Sequence, residues 1–203
     1  YNLVYVRGNT KNRQGEAVNP GLLDEDTEQA IFIHSLYNRK KIKISKGSRP
    51  SISHDGFTIA FVKEGQIWTA SLNDSIIQPK KLFSIRGSQS DINWSPNDNY
   101  LAFTSSRSDN SYIGVYSFKD MKVVFMDPSV DRDFSPEWSP NSKKVAFIRK
   151  PYAKDVPPFS PQKSARPWSI RVLDLSSGQS TSLWEADPGM GSAFFNQFPR
   201  AAL

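Results

Sequence analysis

Apolar residues along this chain gather in short runs, and the runs recur in register. Ile31-Phe32-Ile33-His34-Ser35-Leu36 aligns with Ile67-Trp68-Thr69-Ala70-Ser71-Leu72, with Ile113-Gly114-Val115-Tyr116-Ser117-Phe118 and with Ile170-Arg171-Val172-Leu173-Asp174-Leu175. These runs are rich in β-branched and aromatic residues, and apolar on both parities beyond strict alternation. That pattern predicts strands covered on two faces. Each run ends in turn residues, at Tyr37-Asn38, Asn73-Asp74, Lys119-Asp120 and Ser176-Ser177-Gly178. A shorter strand is predicted after each turn, at Ile42-Lys43-Ile44, Lys81-Leu82-Phe83, Val123-Val124-Phe125 and Ser182-Leu183-Trp184.

A second recurrent phrase precedes each run. Trp94-Ser95-Pro96-Asn97-Asp98-Asn99-Tyr100-Leu101-Ala102-Phe103 returns as Trp138-Ser139-Pro140-Asn141-Ser142-Lys143-Lys144-Val145-Ala146-Phe147, and in worn form as Ile52-Ser53-His54-Asp55-Gly56-Phe57-Thr58-Ile59-Ala60-Phe61. It reads as two strands joined by a tight turn. In that turn proline presets φ, and Asn, Asp or Gly tolerates a left-handed conformation. One complete unit thus holds four antiparallel strands in about 40 to 45 residues, the arithmetic of a β-propeller blade.

The predicted fold class is therefore all-β, a partial propeller of about four blades within one segment spanning residues 1–203. The blade units run roughly 1–46, 47–86, 87–128 and 129–187, with the start of another at 188–203. Leu3-Val4-Tyr5-Val6 matches the second strand of the unit, so the opening blade lacks its first strand: a strand from the far end of the chain would complete it as a four-bladed ring, and the alternative, favoured because both ends cut through a blade, is a larger ring. Ser192 to Pro199 resembles an inner strand. Trp94 and Trp138, at the ends of inner strands, are predicted to fill the wedge between neighbouring blades. Open sheet edges in such a fragment invite self-association.

Two connections are long. Residues 8–28 form a polar stretch with an acidic cluster at Asp24, Glu25, Asp26 and Glu28, which lacks the alternating oxygen ligands and central glycine of a calcium loop. The other, Arg149 to Pro167, holds five prolines and the cations Arg149, Lys150, Lys154, Lys163 and Arg166 against the single acid Asp155. It cannot build a core of its own and is expected to project as a surface loop.

The net charge is +6, but Lys and Arg are scattered over strand ends and loops, so a nucleic-acid partner is not expected. No apolar run reaches the roughly 18 residues of a membrane-spanning helix. The absence of cysteine removes disulfides, thiolate metal sites and a cysteine nucleophile. A serine triad needs a histidine base. Both histidines occupy repeat positions: His34 shares a column with Ala70, Tyr116 and Leu173, and His54 replaces the turn prolines Pro96 and Pro140. The nucleophile elbow Gly-x-Ser-x-Gly is absent, because Gly178-Gln179-Ser180-Thr181-Ser182 lacks the second glycine and Gly191-Ser192 has the wrong spacing. No catalytic, metal-binding or cofactor-binding residue is assigned.

The W-S-P-N-[DS]-x-x-[LV]-A-F phrase with its Ile-x-Val strand resembles the propeller repeats of TolB-like proteins and of prolyl oligopeptidase family serine peptidases. The stretch Asp133 to Arg149, followed by Pro167-Trp168-Ser169-Ile170-Arg171-Val172 and Ser182-Leu183-Trp184-Glu185, is more similar to the peptidases, the dipeptidyl-peptidase and acylaminoacyl-peptidase relatives. The resemblance implies a non-catalytic propeller that admits short peptides to a C-terminal α/β-hydrolase domain of the same parent chain, in a periplasmic or secreted protein. No signal-peptide pattern stands at Tyr1. The alternative is a TolB-like module that binds a protein partner and does no chemistry. A propeller with its own active site would need an acid/base pair at a credible spacing, and none is present.

Overall fold

The computed structural model describes residues 2–8, 29–74, 76–151 and 168–186, and every regular element among them is a strand. The polar connection with its acidic cluster, most of the proline-rich insert and the inner strand expected near Ser192 lie outside the described residues. Strands β1 (Asn2–Arg7), β2 (Ala30–Ser35) and β3 (Lys41–Lys46) form one antiparallel sheet. Strands β4 (Ser48–Ile52), β5 (Thr58–Lys63), β6 (Gln66–Ser71) and β7 (Lys80–Lys81) form the next, in that order. They are followed by β8 (Ser88–Trp94), β9 (Tyr100–Arg107), β10 (Asn110–Ser117), β11 (Lys122–Phe125), β12 (Arg132–Trp138), β13 (Lys144–Lys150), β14 (Ser169–Asp174) and β15 (Gln179–Glu185). The meander of four antiparallel strands is the blade of a β-propeller. The chain divides into two compact units, Tyr1–Trp94 and Ser95–Leu203.

In the first unit the core lies between sheets. Ile31, Ile33 and Ile44 of the opening blade pack with Ile59, Phe61 and Ala70 of the second, and Val4, Val6 and Trp68 close the edges. Trp94 is buried, and its indole Nε1 donates to the Ser51 carbonyl at 3.1 Å, so β8 is tied to β4 by a ring used as core. The outer strand β7 is shorter than the predicted Lys81-Leu82-Phe83. Leu82 N–H still donates to the Ile67 carbonyl at 3.0 Å, but the Gln66 side chain then takes over. Its amide accepts from Ile85 N–H at 3.1 Å and donates to the carbonyls of Ile85 and Gly87, which draws the chain off the ladder.

In the second unit Ala102 and Ile113 pack against Val145, Phe147 and Leu173, with Trp138 against the same cluster. Trp138 stacks on Tyr100 with ring centroids 5.9 Å apart, so it fills the predicted wedge. Gly114 is required by its neighbour across the ladder: a Cβ there would stand 2.4 Å from the Phe103 ring, which is wholly buried. Gly114→Ala is expected to cost about 1–3 kcal/mol through overpacking. Chemical denaturation should return most of that loss when Phe103 is also trimmed to Leu, and a neutral Gly114→Ala would refute the contact.

The recurrent phrase folds into the same hydrogen-bonded turn three times. Ser53 Oγ donates to Asp55 Oδ1 at 2.6 Å and accepts from Thr58 N–H at 2.9 Å, while Phe57 N–H donates to the same carboxylate oxygen at 2.8 Å. Ser95 with Asn97, and Ser139 with Asn141, repeat every one of these contacts. The side chain of the third residue is thus an Asx cap on the turn. In the Asp-Gly copy the left-handed residue is Gly56, as the sequence pattern suggested; in the two Pro-Asn copies it is the residue after the asparagine, Asp98 (φ 55°) or Ser142 (φ 58°).

A second left-handed position lies four residues before each turn serine: Arg49 (φ 52°), Asp91 (φ 48°) and Ser135 (φ 53°). There the ladder shifts register, between Ser48 and Ser51 in β4 and between Phe134 and Glu137 in β12. These are β-bulges repeated by the blade, and they add local twist to the inner strand. In the first unit two bulges are linked, with Arg49 Nη1 3.3 Å from Asp91 Oδ1.

Candidate functional site

A largely buried network of ion pairs lies in and beside the fourth blade. Asp133, at the second position of β12, stands directly across the ladder from Arg149 near the end of β13. The pair is bidentate: Arg149 Nε donates to Asp133 Oδ1 at 2.7 Å and Nη2 to Oδ2 at 2.8 Å. Asp133 is 0% exposed and Arg149 11%. The same guanidinium donates to the Asp127 carbonyl at 2.7 Å and to its Oδ2 at 3.3 Å, and it lies over the Phe147 ring at 5.4 Å.

The network continues outward along the blade. Arg171 of β14 donates through Nε to Ser180 Oγ at 2.7 Å and through Nη2 to the Ser180 carbonyl at 3.0 Å, and Ser180 Oγ donates to Asp127 Oδ2. Asp127 (φ 47°) precedes Pro128 in the connection between β11 and β12, a strained conformation that the two arginines hold in place. Ser111 Oγ adds a hydrogen bond at 2.7 Å to the Asp133 carbonyl.

Burial dominates the electrostatics. It pushes the Asp133 carboxyl above its ordinary value, and the hydrogen bonds and charge of Arg149 offset this only in part. Burial also works against the Arg149 charge, but Asp133 first, then Asp127 and Asp131, outweigh it and leave that pKa raised. Lys150 is lowered by burial and by the neighbouring Arg132. Arg149 and Lys150 therefore belong to β13 and its core-facing surroundings, not to the projecting basic loop in which the sequence pattern placed them.

Arg149 also pairs across the ladder with Ser169, where the chain re-enters the sheet as β14. The network therefore fixes the base from which the proline-rich insert leaves and rejoins the blade. It offers no activated nucleophile, because both carboxylates face arginines and Ser180 Oγ is engaged as donor and acceptor at once. Ser180 lies within β15 and not on a strand-to-helix elbow. His34 lies on β2 and His54 in the turn after β4. Among the described residues no group of three or more His, Asp or Glu gathers as metal ligands.

No protein-family model matches the chain, and no curated protein sequence matches it significantly. Solved structures do match. The β-propeller domain of the Trilobed protease from Pyrococcus furiosus is similar at a TM-score of 0.61 and 19% identity, over 92% of this chain and 54% of that one. A putative TolB from Agrobacterium tumefaciens matches at 0.57 and 20% identity, over 82% of this chain and 60% of that one. Acylaminoacyl peptidase from Pyrococcus horikoshii matches at 0.55 and 20% identity, over 78% and 28%. This chain thus spans about three-fifths of the TolB structure's length and less of the peptidase's. At these identities the likeness is one of fold: the chain is built as a β-propeller of the architecture found in TolB and in peptidase propellers.

Proposed function

We propose that this chain is the non-catalytic propeller portion of a prolyl-oligopeptidase-type serine peptidase, admitting short peptides to an α/β-hydrolase domain that lies outside these residues. The observation that carries the reading is the anchored base of the insert between β13 and β14. A proline-rich, basic segment is held at both ends by a buried ion-pair network, within a fold that peptidase propellers share. The network fixes the two points at which the segment leaves and rejoins the sheet, and that supports a size-filtering role. The periplasmic or secreted location belongs to the same proposal.

Two measurements test it. The parent gene downstream of Leu203 is expected to encode Gly-x-Ser-x-Gly followed by Asp and His, and a stop codon within another blade or two would refute the peptidase. The isolated chain is expected to cleave no peptide, whereas deleting residues 152–167 from the full protein should let longer peptides be cut. Unchanged length selectivity would remove the gating role. The second reading, a TolB-like module that docks a protein partner, is favoured by the greater share of the TolB structure that the chain covers, and a short parent chain would select it.

A further inference from the structure

An arginine at the end of β9 carries a charge that no acid among the described residues answers. Arg107 stands opposite Asn110 across the β9–β10 ladder, at the end of the sheet where Ser111 pairs with Arg132. Its guanidinium carbon lies 5.1 Å from the centre of the Tyr112 ring and 5.1 Å from that of Phe125. The head is therefore held by two aromatic rings. It forms no ion pair and no hydrogen bond among the described residues, and its Nε is buried without an acceptor. The other three described arginines of the second unit each give Nε to an acceptor: Arg132 to the Asp109 carbonyl at 3.0 Å, Arg149 to Asp133 at 2.7 Å and Arg171 to Ser180 at 2.7 Å. A buried donor left unpaired is costly, and a charged one more so, which calls for an explanation at Arg107.

The platform beneath the guanidinium is anchored. Tyr112 and Phe125 meet edge to face with centroids 6.1 Å apart, and Phe125 meets the wholly buried Phe103 in the same manner at 6.4 Å. Asn110 Nδ2 donates to the Tyr112 hydroxyl at 3.1 Å and fixes the outer end of that ring. Successive side chains of a strand alternate between faces, so Ser105 and Arg107 share one with their ladder partners Tyr112 and Asn110. Ser105 is wholly buried, and its hydroxyl also has no partner. Two polar groups on one face are thus left unspent. Arg107 itself is only partly buried, so with Nε inside, the fork of terminal nitrogens is the part that meets solvent.

We propose that the ring-supported Arg107 fork is a binding site for a carboxylate, supplied by a small free acid or by an acidic side chain of a peptide. The planar guanidinium presents parallel N–H groups that match a planar carboxylate bidentately, and the rings hold it in place before the ligand arrives. The charge of the surroundings selects the size of the anion's charge. Arg132 stands at the same hairpin through its bond to the Asp109 carbonyl, while the exposed Asp109 carboxylate opposes it. One unanswered positive charge remains, which suits a singly charged carboxylate better than a phosphate dianion. The site lies within the second unit and does not rest on the peptidase reading.

Nitrogen-correlated proton NMR of the 203-residue chain tests the site. The Arg107 Nε–H resonance, assigned by its loss in Arg107→Lys, and the backbone amides of residues 107–110 are followed together at constant ionic strength. Acetate is expected to move them in a saturable way and chloride is not. A tripeptide blocked at both ends with aspartate at its centre should do the same, and its asparagine analogue should not. Tighter binding of the aspartate peptide than of acetate would identify a peptide as the source, and the reverse a small free acid. Followed by the backbone amides, Arg107→Lys should weaken acetate binding about tenfold, the loss expected for one of two charge-assisted hydrogen bonds. Phe125→Leu should weaken it as well, with strand content by circular dichroism unchanged; if that variant does not fold, Arg107→Lys decides alone. No saturable movement with either carboxylate, equal movement with chloride or the asparagine peptide, unchanged affinity in Arg107→Lys, or tighter binding of inorganic phosphate than of acetate would each overturn the proposal.

Discussion

Replacing Asp133 with alanine is expected to remove about 3–5 kcal/mol of stability, because it strands a buried guanidinium without its bidentate partner. The loss should appear as a lower urea midpoint at an unchanged slope. Exchanging both partners for apolar residues, Asp133→Leu with Arg149→Met, should restore most of it, since no charge is then left buried. A single variant costing under about 1 kcal/mol, the size typical of an exposed pair, would mean that the network is solvated and fixes nothing.

The pH dependence has a definite sign. Burial raises the Asp133 pKa above 3.8, so the folded chain binds that proton more tightly than the unfolded chain. Its contribution is present below 3.8 and is lost as pH rises through the raised value. Asp55 and Asp174 behave oppositely. Serine hydroxyls and backbone N–H groups lower their pKa values, so their contribution is present above the ordinary value and fades as pH falls through the lowered ones. The stability gap between the natural chain and Asp133→Asn should therefore narrow as pH rises through the Asp133 window, and a widening gap would contradict the assignment.

The second large effect is expected at Phe147. Alanine there should cost about 3–5 kcal/mol, the range for emptying an aromatic site in a packed core. Phe147 is buried between the third and fourth blades and is also the ring over which Arg149 lies. Leucine should recover much of the packing but not the ring–guanidinium contact. Because Phe147 and Asp133 share Arg149 as neighbour, the double variant should depart from additivity by 0.5 kcal/mol or more. Additive losses would show that the ring packs without steadying the guanidinium.

Hydrophobic patterning carried most of the fold. The Ile-x-Val runs fall in β2, β6, β10 and β14 because a two-faced apolar strand has few other places to go. What patterning could not carry was side-chain competition with the backbone. Gln66 diverts the chain after β7, and in the two Pro-Asn turns the Asx cap moves the left-handed residue one place along. The charge network was harder still. Asp127 and Ser180 are 53 residues apart and meet only through strand register. One signal was available: the column of Asp133 holds Gly47 and Gln89 in the preceding blades, so a carboxylate there enters a crowded position and needs a cation beside it.

The three turns carry a lesson about how such a chain can diverge. Their hydrogen bonds use the serine, the Asx side chain two residues on and the backbone, while the residue between them contributes none of these bonds, whether His54, Pro96 or Pro140. Copies of a duplicated unit can therefore drift at the proline and at the preceding tryptophan, as Ile52-Ser53-His54-Asp55 has done, without changing the bend. Ancestry in this architecture is written in the pair that closes the cage, and a count of units that relies on its most conspicuous letters will come out short.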